Sequence, residues 1–538
     1  MSDYDYVIVG AGTAGCVLAN RLSAEGAEVL LVEAGGSDRS PKVKIPAAFA
    51  QLFQTKVDWD YSYGPEPGCD GRELFVPRGK MLGGSSSMNA MLYVRGHRDD
   101  YDGWRDEHGC AGWSWDEVLP YFIRSEHHEK GASATHGFGG PLNVAPPRSP
   151  RKLTDLIVGA ARARGFDLQE DYNGGDPAGV SIVETTQRNG RRWSGVDAFL
   201  KPVKGRPNLE IATGVSALGL ELDGERVSGV KLAGKAPFAT ARARREVILA
   251  AGAIGSPQLL MLSGVGDRDK LAAVGIDVAV ELPGVGMNLQ DHPFCVGIWE
   301  SAIGKSLADA EKPQAAAEWM LRRTGPLAST VAEAFLFTRS DGSDGPPDLQ
   351  FHLAPAFFSN HGFEEFDGHA YTVGPVLVEP KARGELTLTS SDAAAKPRMI
   401  GNHLVDDSDI AAMVAGMKLA REIAATEPLA SATAREIYPG PSVGASDEEI
   451  AADIRRRTEM LYHPVGTCAM GTGADAVVDP ELRVRGVEGL RVADASVMPQ
   501  ITRGNTNAPT YMIAEKAADM ILGKDPLPAA SEHVAAPA

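Results

Sequence analysis

The chain has 538 residues, with 53 basic against 71 acidic side chains and a net charge of −18, an acidic excess that argues against nucleic acid or an anionic membrane surface as partner. Hydrophobic residues make up 43% and charged residues 23%, which excludes a disordered chain and leaves room for more than one domain. No apolar run is long enough to span a membrane, and the five cysteines (Cys16, Cys69, Cys110, Cys295, Cys468) are odd in number and lack metal-ligand spacing. Free thiols in a reducing, cytoplasmic setting are therefore expected, in keeping with a first strand that begins within four residues and is preceded by no basic leader.

In chain order, Tyr6-Val7-Ile8-Val9 predicts a short strand that ends at Gly10. Cys16, Val17, Leu18 and Leu22 then fall at helical spacing, and Glu28 to Val32 form a second apolar run that ends at Glu33. This is a βαβ start with strands buried on both faces. Residues 37–75, with Trp59, Tyr61 and Tyr63, are expected as an irregular excursion over the surface or over a cofactor, and residues 77–97 as a Gly/Ser-rich loop. An amphipathic helix is predicted over 152–165, and two or three strands over 208–250. The run EVILAAG reads as a buried strand followed by a helix, with Ser256 as N-cap and Pro257 in the first position.

Residues 298–450 change texture. The runs DLQFHLAP, YTVGPVLVEP and GELTLTS predict strands, IAAMVAGMKLAREIAAT a helix, and together a second domain built on an antiparallel sheet. Residues 487–522 return to the first pattern with strand GLRVAD and helix APTYMIAEKAADMI. The expected division is a discontinuous dinucleotide-binding domain (1–150, 198–297 and 455–522), a substrate-binding domain (151–197 and 298–454) and a flexible tail (523–538).

The chemistry starts at Gly10-Ala11-Gly12-Thr13-Ala14-Gly15, a G-x-G-x-x-G turn between strand and helix, with the carboxylate of Glu33 18 residues past Gly15. Gly10 permits the tight turn, Gly12 lets the backbone approach a pyrophosphate, and Gly15 lets helix and strand pack closely. Glu33 suits a ribose diol and disfavours a 2′-phosphate. The motif alone does not separate NAD from FAD.

Longer segments do. Pro77-Arg78-Gly79-Lys80-Met81-Leu82-Gly83-Gly84-Ser85-Ser86-Ser87-Met88-Asn89 resembles the first signature of the glucose–methanol–choline (GMC) family of FAD-dependent alcohol oxidoreductases. Gly252-Ala253-Ile254-Gly255-Ser256-Pro257-Gln258-Leu259-Leu260 resembles the second. Pro283 to His292, His463-Pro464-Val465-Gly466-Thr467, Val492 to Ser496 and Gly504 to Pro509 follow in family order. The resemblance implies an α/β FAD-binding Rossmann-like domain interleaved with an α+β substrate-binding domain on an antiparallel sheet.

It also implies roles. Gly10, Gly12, Thr13, Ala14, Gly15, Glu33 and Ala34 would hold the FAD dinucleotide, with Val215 at the adenine. Leu82, Gly83, Asn89 and Leu92 would lie along the flavin, and Asp494, Ala495 and Asn507 near the diphosphate, ribityl chain and ring edge. Met88 stands where some relatives carry a histidine that bonds the flavin, so FAD is expected to be non-covalent. His463 is the implied base and Asn505 its hydrogen-bond partner, with Asn507 the nearby competitor, in a reaction that moves hydride from an alcohol, preferably a primary one, to flavin N5. Electrons would pass to O2 or a quinone-type acceptor.

His292 is expected to be structural or to lie behind the reacting groups. Glu333 is a candidate for holding a trimethylammonium group, which keeps a choline dehydrogenase-like alternative open; a hydroxynitrile lyase on the same fold is another. Phe357, Phe358, Phe363 and Phe366 are candidate pocket aromatics, which would suit aromatic or furanic alcohols, and Leu461 a candidate neighbour of flavin C4a. The stretch LQFHLAPAFFSNHGFEEF lacks the cysteine and arginine of the family's photodecarboxylases. No metal site is expected.

Overall fold

A computed structural model describes residues 2–533. Its first sheet is built from β1 (Ser2–Val9), β2 (Val29–Glu33), β3 (Leu209–Thr213), β4 (Val215–Asp223), β5 (Arg226–Gly234), β6 (Thr240–Leu249) and β7 (Leu490–Val492). Five strands run parallel in the order β3-β2-β1-β6-β7. The first half of β6 also pairs antiparallel with β5, and β5 with β4, so one long strand serves the parallel sheet and a three-stranded meander. Val7, Ile8, Val29, Leu30 and Leu31 are fully buried, as a parallel sheet covered on both faces requires.

Helices α1 (Thr13–Ala24), α2 (Gly252–Leu262) and α3 (Asn507–Leu522) lie in the segments where helices are expected, and α1 packs along α3. Because the strands are parallel, the residues after β1, β2, β6 and β7 emerge at one edge of the sheet. Gly10, Ala34, Ala250 and Asp494 meet there.

One expected boundary is corrected. Helix α2 opens at Gly252, so Ser256 lies inside the helix rather than capping it. Its Oγ accepts from Ala251 N at 3.1 Å and donates to Asp494 Oδ2 at 2.6 Å. Pro257 inside the helix leaves the Ala253 carbonyl without its usual amide donor. Thr467 Oγ1, from a distant segment, donates to that carbonyl at 2.7 Å and makes the proline tolerable.

The second sheet has six main strands in the order Thr433–Tyr438, Gly297–Ser301, Ala370–Leu377, Leu349–Ala354, Ala334–Thr338 and Gly179–Ile182, each antiparallel to its neighbour. The short strands Pro293–Phe294 and Glu459–Met460 pair with each other and extend it. Thus residues 293–297 and 459–460, expected in the first domain, belong by pairing to the second sheet. GELTLTS forms a separate small hairpin with Arg398–Ile400. Helix Asp407–Ala424 packs on strand Ala370–Leu377, and the helix expected over 152–165 spans Lys152–Ala163.

The excursion over 37–75 contains the hairpin Tyr61–Glu66/Arg72–Val76 and brings Trp59 and Tyr61 to the interdomain cavity. Past Gly523, the expected flexible tail makes specific contacts: Leu527 N donates to Tyr121 Oη at 3.1 Å and Lys524 pairs with Glu25 at 2.6 Å. Residues 534–538 of that tail lie outside the described residues. Among the described residues, no helix is long and apolar enough to cross a membrane.

Candidate active site

A cavity of about 720 Å³ lies between the two sheets and is walled by both. From the first sheet's edge it is lined by Gly10, Gly12, Thr13, Ala14, Glu33, Ala34, Val215, Asp494 and Ala495, and from the glycine-rich loop by Met88, Asn89 and Leu92. His463, Asn505 and Asn507 complete the group of sequence-predicted residues that meet there.

The glycines of the first turn divide by role. A Cβ on Gly15 would sit 1.9 Å from the Gly10 carbonyl oxygen, so Gly15 is a packing residue and does not line the cavity. A Cβ on Gly12 would meet only the Ala250 carbonyl, at 3.9 Å, and otherwise occupy the cavity itself. Bare backbone at that point is what a pyrophosphate needs in order to approach. Neither α1 nor α3 has a side-chain cap at its N-terminus, and both termini open on the cavity, so unsatisfied N–H groups and positive dipole ends face it. Lys80 and Lys396 add positive charge to the wall. The residues present therefore fit a dinucleotide diphosphate.

Glu33 is buried. Its Oε2 accepts from Ala11 N at 3.0 Å and its Oε1 from Gly35 N at 2.7 Å. Burial lifts its pKa to about 7, against the pull of those amides and Lys80. Each oxygen keeps a lone pair for a ribose hydroxyl. Leu82 and Gly83 stand outside the cavity wall: Leu82 N donates to Gly36 O at 2.9 Å and Gly83 N to Ala11 O at 2.7 Å, clasping the glycine-rich loop onto the dinucleotide turn.

Asn89 Oδ1 accepts from the buried Arg192 guanidinium at 2.7 Å. Asn507 Oδ1 accepts from Thr13 Oγ1 at 2.7 Å and so ties the two helix N-termini together. Asp494 accepts from Gly252 N, Ser256 Oγ, and both N and Oγ of Ser496. It thereby knits the loops after β6 and β7. Met88 offers the cavity a thioether, with no nitrogen that could bond a flavin.

His463 lies three residues past strand Glu459–Met460. Its backbone N–H donates to Asp291 Oδ1 at 2.7 Å, and the same carboxylate accepts from His292 N at 2.8 Å and Tyr63 Oη at 2.9 Å. Burial raises the Asp291 pKa to about 6. The His463 Nε2 atom lies 3.2 Å from Asn505 Nδ2, while His463 Nδ1 lies 3.0 Å from His292 Nδ1 with the rings at 89°. Burial pushes His292 down to about 3 and His463 well below the usual imidazole range. Both rings are therefore neutral at pH 7. Asn505, rather than Asn507, is within hydrogen-bond distance of His463.

Other expectations are redistributed. Glu333 does not reach the cavity; its carboxylate accepts from Arg151 N at 2.7 Å, Thr154 Oγ1 at 2.6 Å and Ser329 Oγ at 2.8 Å. Of the four candidate pocket phenylalanines only Phe358 lines the wall, whereas Phe357 and Phe366 stack on each other at 5.2 Å. Phe49, Phe53, Phe294, Tyr462 and His352, which were not singled out from the sequence, line the wall, as does Leu461. For His352 a signal was present: glutamine and histidine alternate with apolar residues in LQFHLA, an unusual pattern for a buried strand.

The GMC oxidoreductase family has an N-terminal model that matches residues 4–294 and a C-terminal one that matches residues 380–514. The chain is 42% identical over 531 residues to an alcohol dehydrogenase [acceptor] of Pseudomonas putida, covering 97% of this chain and 96% of that protein. It is 42% identical over 537 residues to an oxygen-dependent choline dehydrogenase of Brucella ovis, again covering 97% and 96%. Among solved structures, a pyridoxine 4-oxidase from Mesorbium loti superposes with a TM-score of 0.89 at 33% identity, covering 97% of this chain and 99% of that one. Similarity that runs the full length of both domains, over a cavity shaped for a dinucleotide, leads to one assignment: the chain belongs to the GMC oxidoreductase family of FAD-dependent enzymes acting on alcohol-type substrates.

Proposed function

We propose that the protein oxidises an uncharged alcohol, preferably a primary one with an apolar body, to the carbonyl compound. His463 Nε2 takes the hydroxyl proton, and Asn505 Nδ2 donates a hydrogen bond to the alkoxide oxygen as it forms. FAD, when bound, supplies the acceptor for the hydride that leaves the carbinol carbon. O2 or a quinone-type compound then removes the electrons. The observation that carries this reading is the buried pair His463 Nε2 and Asn505 Nδ2, 3.2 Å apart on the cavity wall. A neutral imidazole accepts a proton, an amide N–H stabilises the oxygen that loses it, and one alcohol oxygen can touch both. The Asp291 carboxylate, which holds the His463 backbone, supplies negative charge near the imidazolium formed.

The substrate class rests on the wall chemistry. Among the described residues, the only carboxylates lining the cavity are Glu33 and Asp494, both at the dinucleotide edge and both already accepting hydrogen bonds. The wall carries Phe49, Phe53, Phe294, Phe358, Leu461 and Tyr462, and the one charge on it that bears on His463 is the Arg78 guanidinium, which repels a cation. A neutral aromatic or aliphatic body suits those side chains, while the trimethylammonium of choline finds no carboxylate. The choline dehydrogenase relatives keep choline as the second reading, and a lyase moving no net electrons is the third.

An anaerobic panel of benzylic, furanic, aliphatic and polyol alcohols together with choline, read by loss of flavin absorbance, tests it. Bleaching by apolar primary alcohols with choline at least about tenfold less efficient is expected, the discrimination that a missing charge partner gives. Choline as the best substrate overturns the substrate class, and a panel without any bleaching overturns the oxidation itself.

A further inference from the structure

The strand Leu349–Ala354 lies inside the second sheet, and all six of its residues are buried. Alternation places Leu349, Phe351 and Leu353 in the apolar core, while Gln350, His352 and Ala354 share the opposite face, where His352 and Ala354 reach the cavity. Gln350 itself does not line the cavity and is 0% exposed. A primary amide in that position is costly unless it is hydrogen-bonded. Among the described residues its one side-chain hydrogen bond runs from Nε2 to Asn505 Oδ1 at 3.3 Å, and its Oε1 has no partner. As the two amides are oriented, Gln350 gives a hydrogen to Asn505.

That direction sets everything downstream. An asparagine amide can present either its oxygen or its NH2 to a neighbour. With Oδ1 engaged by Gln350, Asn505 turns Nδ2–H toward His463 Nε2, which must then be unprotonated. The His463 proton sits on Nδ1 and is donated to His292 Nδ1. With Nδ1 accepting, His292 keeps its own proton on Nε2, an atom that has no hydrogen-bond partner among the described residues. Turning the Asn505 amide over would reverse the chain. His463 would carry hydrogen on Nε2, leaving no base toward the cavity, and His292 would carry its hydrogen on Nδ1 instead.

We propose that Gln350 is a positioning residue: it fixes the orientation of the Asn505 amide and, through it, the tautomer of His463, so that a bare Nε2 and an N–H donor face the substrate together. The proposal rests on the His463–Asn505 reading above, and its test separates the two.

Histidine-selective ¹⁵N labelling of the holoenzyme, with His463→Ala to assign the signal, reports the tautomer without turnover. The expected result is a neutral Nδ1–H His463 in the wild type. In Gln350→Glu, read at a pH high enough to ionise a carboxyl that burial pushes up, the carboxylate can only accept, so the Asn505 amide turns and His463 becomes the Nε2–H tautomer. Gln350→Met, which keeps the volume and removes the donor, is the second variant should the glutamate impair folding. It should slow the limiting anaerobic flavin reduction by about tenfold, the scale of one misaligned hydrogen bond, with KM nearly unchanged.

In an Asn505→Ala background the same Gln350→Met change should have no further effect, because its target is gone. An unchanged His463 tautomer in Gln350→Glu, or a full Gln350→Met effect without Asn505, overturns the proposal. Normal flavin reduction by Asn505→Ala alone would instead overturn the catalytic reading, and the tautomer result would still decide the positioning role.

Discussion

The second and third glycines of the first turn, Gly12 and Gly15, should fail in opposite ways. Gly12 has φ −75°, which alanine adopts without strain, and an added methyl meets only the Ala250 carbonyl at 3.9 Å. Gly12→Ala should therefore fold as stably as the wild type when FAD is absent. The methyl instead occupies the space where a diphosphate must approach the backbone. Overpacking of this kind costs about 1–3 kcal/mol, which weakens FAD binding about 5- to 150-fold. Gly15→Ala drives its methyl to 1.9 Å from the Gly10 carbonyl oxygen, a backbone atom that no rotamer change can move. Its cost falls on folding itself, at or above the upper end of that range. The assay is urea unfolding of the apoproteins beside fluorescence titration with FAD. Wild-type FAD affinity in Gly12→Ala, or equal loss of apo stability in the two variants, would refute the assignment of the cradle to Gly12 and of packing to Gly15.

Two further outcomes follow from the structure. His136 bridges Glu126 and Asp171 at 3.0 Å each, and although burial opposes its charge, those carboxylates hold its pKa up at about 9, against 6.5 for a free imidazole. A folded pKa above the unfolded one gives stability that is complete below about pH 6.5 and lost as pH rises through about 9. The Tm difference between wild type and His136→Asn should shrink across that window, and a constant difference would contradict the pairing. Because Met88 offers no flavin ligand, acid precipitation should leave all flavin in solution, whereas a yellow pellet would show a covalent bond.

Local features made the first domain legible in the sequence. The dinucleotide turn lies within six residues, the strands on either side are continuous apolar runs because both faces are covered, and α3 ends at Gly523, whose φ of 64° suits glycine. Features decided by distant partners were not legible. Ser256 reads as an N-cap beside Pro257 until Thr467 is seen to supply the missing donor to Ala253. Glu333 reads as a pocket carboxylate until Arg151, Thr154 and Ser329 are seen around it. His292 and Gln350 gain meaning only from strands and loops brought to His463 and Asn505 by the fold. The two short strands Pro293–Phe294 and Glu459–Met460 pair with each other across a long stretch of chain, a contact that no local pattern records.

The central claim is that His463 removes the substrate proton while the alcohol loses hydride. Anaerobic stopped-flow reduction of the holoenzyme by its best alcohol measures that step directly, with FAD content determined in each sample. For His463→Ala with FAD fully bound, the limiting reduction rate should fall by at least about 100-fold, the contribution expected of a positioned general base. Reduction at near wild-type rate by that variant would contradict the account.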